Sequence, residues 1–331
     1  MKDYLELLQA AAQKTASIIS LGMDPVLEKI PAREEKDEKK DKEKDPEKVI
    51  TFFYKEILEA CACTNTLPGA VKPNSAFFEQ YGFPGLRALR NINEMCKKMK
   101  LPLILDVKRG DVKQTSHAYA KACFDFWQAD AVTLSPYMGF DTKQPFLSYL
   151  HEGKGAYVLC KTSNKTAEII QDVEVEDAKG SKEDKGSKER EGSKEREESK
   201  EREGSKRTEE SKESKKKLYR YVAEQIIAWH QPGLGAVVGA THPQQLKEIS
   251  SLFASAKKQV PLLIPGVGSQ GASLQETLEA LKETTNNLCI HRINAASSIN
   301  YAYLQQNTND FAGAAVKELE QLNKQCKKYL K

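Results

Sequence analysis

The sequence predicts an α/β fold, a single-domain (β/α)8 TIM barrel with two charged low-complexity insertions, and three observations carry that prediction. Eight short apolar runs alternate with stretches of helical periodicity along the 331 residues, the signature of repeated βα units and a parallel sheet. Six of those runs turn polar or acquire glycine at their C-terminal ends, where the loops of a barrel converge on one mouth. Two segments almost free of apolar residues, 33–48 and 174–217, interrupt the pattern. An open doubly wound sheet shows the same alternation, so closure of the sheet is an expectation that the pattern favours without requiring.

The elements follow in order. MKDYLELLQAAAQK mixes charges with apolar residues at helical spacing and lacks the apolar core and small-residue cleavage site of a secretory signal. SIISLGMD (17–24) is the first strand. After the charged segment REEKDEKKDKEKDPEK comes VITFFYKEILEAC, apolar at helical intervals. AVKPN (70–74) is the second strand, followed by the helix LRALRNINEMCKKM. PLILDVK (102–108), AVTLS (131–135) and AYVLCKTS (156–163) are the third to fifth. The irregular GSKERE-like units of 174–217 then separate the fifth strand from the helix LYRYVAEQIIAWH. Neither charged segment can bury enough surface to offset its ordering entropy, so both are expected as disordered surface insertions. GAVVGAT (235–241), PLLIPGVGS (261–269) and LCIHRINAAS (288–297) complete the eight, with Thr241 and Pro243 expected as N-cap and first turn of the helix PQQLKEISSLF.

A net charge of +4 is small for this length, and the 30% of charged residues come disproportionately from the two insertions. Neither figure favours a nucleic-acid or membrane partner. The seven cysteines are odd in number, form no C-x-x-C pair and mostly sit in apolar stretches, as expected of thiols in a reducing compartment. A soluble, cytoplasmic protein is the expectation.

LILDVKRGDV holds the densest chemistry. Asp106 and Lys108 are two apart on a strand and project to the same side, which in a barrel is the inside. Gly110 is expected to allow a turn that returns Asp111 toward the same pocket. A lysine set among carboxylates keeps its proton even when desolvated, which makes Lys108 an acid rather than a nucleophile. Polar strand ends supply Asp24, Lys72, Asn74, Thr162, Ser163 and the run Asn294 to Ser298. Gly266-Val267-Gly268-Ser269-Gln270-Gly271 matches G-x-G-x-x-G, and a phosphate loop after the seventh strand of a barrel fits it better than a dinucleotide fingerprint. The five histidines show no metal-ligand spacing, and no P-loop or G-x-S-x-G occurs.

Taken together, LDVKRGDV, KPNSAFFEQYG (72–82), SPYMG (135–139), KTSN (161–164), VVGAT (237–241) and PGVGSQG (265–271) closely resemble the longer form of orotidine 5′-monophosphate decarboxylase. The resemblance implies loss of CO2 from orotidine 5′-monophosphate to give uridine 5′-monophosphate, without cofactor or metal. By the same resemblance Lys108 stabilises the carbanion at C6 and protonates it, and Asp106 faces the departing carboxylate. Asp111 and Thr115 would serve the neighbouring subunit of a homodimer. Asp24 and Lys72 would hold the ribose with Asn74 beside them, and Ser163 the pyrimidine amide. Pro265, Gly268, Gln270, Gly271 and Ser297 would line the phosphate end.

Two positions depart from the family pattern. Ser297 stands where an arginine usually grips the phosphate, and Lys165 follows TSN where proline is common. Arg292, five residues before Ser297, falls on the opposite strand face by its odd offset. Two other readings remain at this stage: a metal-dependent sugar-phosphate lyase of the same superfamily, and a barrel that has lost catalysis and acts by binding.

Overall fold

The computed structural model describes residues 3–31, 45–176, 215–268, 271–284 and 287–330. All eight expected strands form: β1 (Ile19–Met23), β2 (Ala70–Pro73), β3 (Ile104–Arg109), β4 (Ala131–Leu134), β5 (Gly155–Lys161), β6 (Leu234–Val238), β7 (Leu262–Pro265) and β8 (Arg292–Ala295). They pair in parallel in the order β2-β1-β8-β7-β6-β5-β4-β3. The two ends of that order meet, because Val71 bridges Leu103 and Asn74 bridges Asp106. The Val71 N–H also donates to the Pro102 carbonyl at 2.9 Å. Eight strands thus close into a barrel, which removes exposed sheet edges.

The helices between strands form on the periodicity the sequence carries. In Pro46–Cys63, Ile50, Phe53, Tyr54, Ile57, Leu58 and Cys61 are buried, a single stripe at three- and four-residue steps. That helix begins inside the expected charged insertion, so the boundary at Lys48 is corrected. The Asp45 carboxylate accepts the Glu47 N–H, and Pro46 occupies the first turn, which together start a helix regardless of the charged residues before it. The second insertion also has an ordered root. Glu174–Val175 pairs antiparallel with Lys216–Lys217, and the remainder of both insertions lies outside the described residues.

Alternation along each strand sorts the barrel interior into layers. Ala70, Ile104, Ala131, Tyr157, Val237 and Leu263 pack together inside with Tyr4 and Leu8 of the helix Tyr4–Thr15. That helix plugs the N-terminal end, where the Tyr4 and Tyr157 hydroxyls bond at 3.0 Å. Arg292 is spent at the same end: fully buried, it donates to the carbonyls of Leu8, Gly69, Cys289 and His291. Two residues further along their strands, Lys72, Asp106, Thr133, Leu159, Pro265 and Asn294 line a cavity at the C-terminal end. Five of the seven cysteines are buried and all seven are free thiols. Among the described residues no helix is long and apolar enough to cross a membrane.

Candidate active site

The mouth of the barrel encloses a cavity of about 440 Å³, in the range of small-molecule sites. Of the residues singled out from the sequence, Asp24, Lys72, Asn74, Asp106, Lys108, Ser163, Pro265 and Ser297 line it. Asp111, Thr115, Gly268 and Gly271 do not, and Gln270 lies outside the described residues. A second cleft of about 460 Å³ opens near the N-terminal ends of β3 and β4. Several of its polar side chains are satisfied within the protein: Lys97 by Gln128, Lys154 by the Ala129 carbonyl, and one Asp130 oxygen by the Leu103 N–H.

Asp106 organises the charged end. One carboxylate oxygen takes the Lys72 ammonium at 2.9 Å, and the other takes Lys108 at 2.6 Å and the Thr133 hydroxyl at 2.8 Å. Burial opposes the ionised form of Asp106, but Lys72 and Lys108 outweigh it and hold the carboxyl far below its usual range. For buried Lys72, burial acts to lower the pKa, and Asp106 with Asp24 raises it above the ordinary lysine value. Asp24 is the less satisfied carboxylate. Burial raises its pKa, Lys72 only partly countering, and its Oδ1 has no donor within the protein.

How Lys108 reaches Asp106 was hidden from the sequence. Between Leu105 and Arg109 the β3–β4 register shifts, a local bulge. Lys108 there adopts φ +47°, a left-handed conformation that costs a non-glycine residue energy. The Thr133 hydroxyl fills the gap, accepting the N–H groups of Val107 at 3.0 Å and Lys108 at 2.9 Å. The sharp turn expected at Gly110 is therefore corrected: the positive φ falls on Lys108 and Gly110 has none. Gly110 instead packs closely, a Cβ there meeting Ser135 Cβ at 3.1 Å. Asp111 turns away from the cavity and accepts the Val112 N–H at 2.7 Å, while Thr115 is exposed on the helix Lys113–Lys121.

At the opposite side of the cavity, Gly268 and Gly271 both hold φ +86°, and the Gly271 N–H closes the loop onto the Gly268 carbonyl at 2.9 Å. Ser297 lines the cavity at this end, and a Cβ on Gly268 would lie 3.1 Å from the Ser298 hydroxyl. Arg292 contributes nothing here because its guanidinium is bonded at the other end of the barrel.

Sequence reasoning also missed Thr133 and left Asn294 without a role. Both sit at inward positions two residues beyond the packed layer, a signal that becomes visible once the inward face of each strand is known. Thr241 is corrected as a helix cap: His242 precedes the helix Pro243–Ser255, and the Thr241 hydroxyl donates to the Ser163 carbonyl at 3.1 Å.

A closed eight-stranded barrel with a Lys–Asp–Lys array at its C-terminal mouth defines the class: a TIM-barrel enzyme with its site among the βα loops. The chain belongs to the orotidine 5′-phosphate decarboxylase / HUMPS family, whose model matches residues 45–300. It is 34% identical over 322 residues to the orotidine 5′-phosphate decarboxylase of Roseiflexus castenholzii, covering 97% of this chain and 96% of the relative. With that of Herpetosiphon aurantiacus it is 32% identical over 316 residues, covering 95% and 94%. Among solved structures it is similar to Leishmania donovani OMP decarboxylase, with a TM-score of 0.67 at 27% identity, covering 98% of this chain and 99% of that one. It is also similar to Leishmania donovani UMP synthase, with a TM-score of 0.68 at 28% identity, covering 98% of this chain but 57% of that longer one.

Proposed function

We propose that this chain is a carboxy-lyase that converts orotidine 5′-monophosphate to uridine 5′-monophosphate without a metal or organic cofactor. The observation that carries the reading is the Lys72–Asp106–Lys108 array at the mouth of a barrel of this family. In the reaction the C6–carboxylate bond breaks, CO2 leaves and its electron pair stays on C6. Lys108 stabilises that pair electrostatically and donates its proton to C6, after which water reprotonates the amine. Asp106 keeps Lys108 aimed, and Asp24 with Lys72 holds the ribose hydroxyls beside Asn74. The Asp24 oxygen that lacks a donor suits a hydroxyl. Ser163 reads the pyrimidine amide, while Pro265, Gly268, Gln270, Gly271 and Ser297 form the phosphate end.

The reading includes a homodimer in which Asp111 and Thr115 complete the partner's site; their position outside the cavity of their own chain supports it. It also includes a cytoplasmic location, consistent with seven free thiols, and a single domain whose two charged segments are surface insertions.

Two experiments test the proposal. Purified protein is incubated with orotidine 5′-monophosphate and the fall in its absorbance followed; no turnover, or turnover untouched by Lys108→Ala, defeats the reading. Mixing Lys108→Ala with Asp111→Ala subunits should then restore about a quarter of wild-type activity, since random assortment rebuilds one intact site in half of the dimers. Two inactive variants that stay inactive on mixing refute the shared site. Ser297 favours one rival, a barrel that binds without catalysing. That rival predicts no tight binding of 6-hydroxyuridine monophosphate, which an active decarboxylase binds far better than substrate.

A further inference from the structure

The loop after β5 carries Ser163 and Asn164 into the cavity, and what holds it lies outside the cavity. Gln171 closes a two-bond ring on Thr162, its Oε1 accepting the Thr162 N–H at 2.9 Å and its Nε2 donating to the Thr162 hydroxyl at 2.7 Å. The Thr162 hydroxyl in turn donates to Asn164 Oδ1 at 2.7 Å. The Asn164 amide is thereby oriented, its Nδ2 donating to the Thr166 hydroxyl at 3.3 Å. Because the Thr162 backbone N–H can only donate, the Gln171 amide must present Oε1 to it and Nε2 to the hydroxyl.

Gln171 is itself fixed by the root of the second insertion. Neighbouring Asp172 pairs with the fully buried Lys161 of β5, whose ammonium also lies 5.4 Å from the Tyr219 ring centre. The Leu218 N–H donates to the Val173 carbonyl at 2.9 Å, and the ladder of Glu174–Val175 with Lys216–Lys217 follows directly. On the other side, Gly239 leaves room for the loop: a Cβ there would lie 2.7 Å from Ser163 Cα. Thr241 holds the Ser163 carbonyl.

We infer that Gln171 is a positioning residue for the base end of the substrate, setting the geometry of Ser163 and Asn164 through Thr162. The inference rests on the proposed decarboxylase reading and deepens it, since it assigns to the root of the insertion a part in base recognition. Gln171 touches no reacting atom and acts on affinity rather than on proton transfer.

The test compares Gln171→Ala and Gln171→Glu with wild type. The alanine variant should raise KM for orotidine 5′-monophosphate by about tenfold, the size of one lost hydrogen-bonded contact made rigid by its neighbours, with kcat changed less than about threefold. Its Kd for uridine 5′-monophosphate should rise in parallel, whereas inhibition by ribose 5-phosphate, which has no base, should stay unchanged. Glutamate keeps the acceptor for the Thr162 N–H but takes the Thr162 hydroxyl's proton away from Asn164, so an intermediate effect is expected. An alanine variant that binds both ligands as wild type does, or weakens both equally, overturns the assignment. Wild-type protein without turnover would count against the decarboxylase reading instead, and the paired affinities for the two ligands still decide the role of Gln171.

Discussion

Replacing Thr133 by valine removes one hydroxyl from a buried position at the cavity wall and keeps nearly the same volume. Three hydrogen bonds go with it: two from the N–H groups of Val107 and Lys108, and one to the charged Asp106. Each neutral bond is worth about 1 kcal/mol net and the one to a carboxylate about 1.5–3, for a gross loss of roughly 3.5–5 kcal/mol. Freed of its acceptor, the bulge can relax and Lys108 can leave φ +47°, recovering roughly 1–2 kcal/mol of left-handed strain. The expected net destabilisation is about 1.5–4 kcal/mol, read as a shift in the urea midpoint at constant slope. The same relaxation withdraws the Lys108 ammonium from its aim, and a displacement of about 1 Å at a reacting group costs on the order of a hundredfold in rate. Steady-state kcat should fall accordingly, and Thr133→Ser, which keeps the hydroxyl, should recover most of both losses. If the valine variant stays within about 0.5 kcal/mol of wild type, the surface-substitution range, and turns over normally, the account of the bulge is wrong.

Asp24→Asn should raise the thermal midpoint of the free protein while weakening nucleotide binding, because it removes a buried carboxylate whose pKa is raised chiefly by burial. A raised carboxyl pKa means the folded state holds its proton more tightly, so the advantage of asparagine should be greatest above the carboxylate range and shrink as pH falls through it. His291 is buried and its pKa pushed down to about 3, burial first and Arg292 second. As pH drops below the ordinary histidine value the unfolded chain takes up a proton that the folded one refuses, removing up to about 1.4 kcal/mol per pH unit. Urea titrations from pH 6.5 to 4.5 should therefore be steeper in wild type than in His291→Gln; equal slopes would contradict a neutral buried imidazole. Ser297→Arg should lower KM for the nucleotide by about tenfold or more through a bidentate phosphate contact, and an unchanged KM would mean that the phosphate lies elsewhere.

Much of the site was legible before folding because strand periodicity and strand ends are local properties. The pairing of Asp106 with Lys108 was expected from their two-residue spacing, although the bulge at Lys108 is what brings its ammonium onto Asp106, and Lys72 and Asp24 mark where their strands turn polar. Arg292 is absent from the phosphate end as expected, but not through its offset from Ser297: it faces the barrel interior two residues before Asn294 and is bonded at the N-terminal end. The helix of Pro46–Cys63 was also legible, though its start was not: Asp45 and Pro46, its cap and first turn, lie within the charged run.

By itself, then, the amino-acid order determined eight strands, their helices and the cluster of ionisable groups at their ends, since each depends on neighbours a few positions away. Only the tertiary structure decided what those groups do to one another. Pairing of β3 with β4 set Thr133 beneath Lys108 and moved the strained φ from Gly110 to the lysine. Closure between β2 and β3 brought Lys72 within 2.9 Å of Asp106, and packing after β5 turned Gln171 back onto Thr162. These contacts join residues 9 to 34 positions apart, and no short-range pattern encodes them. Their geometry depends on how the whole barrel shares its interior volume.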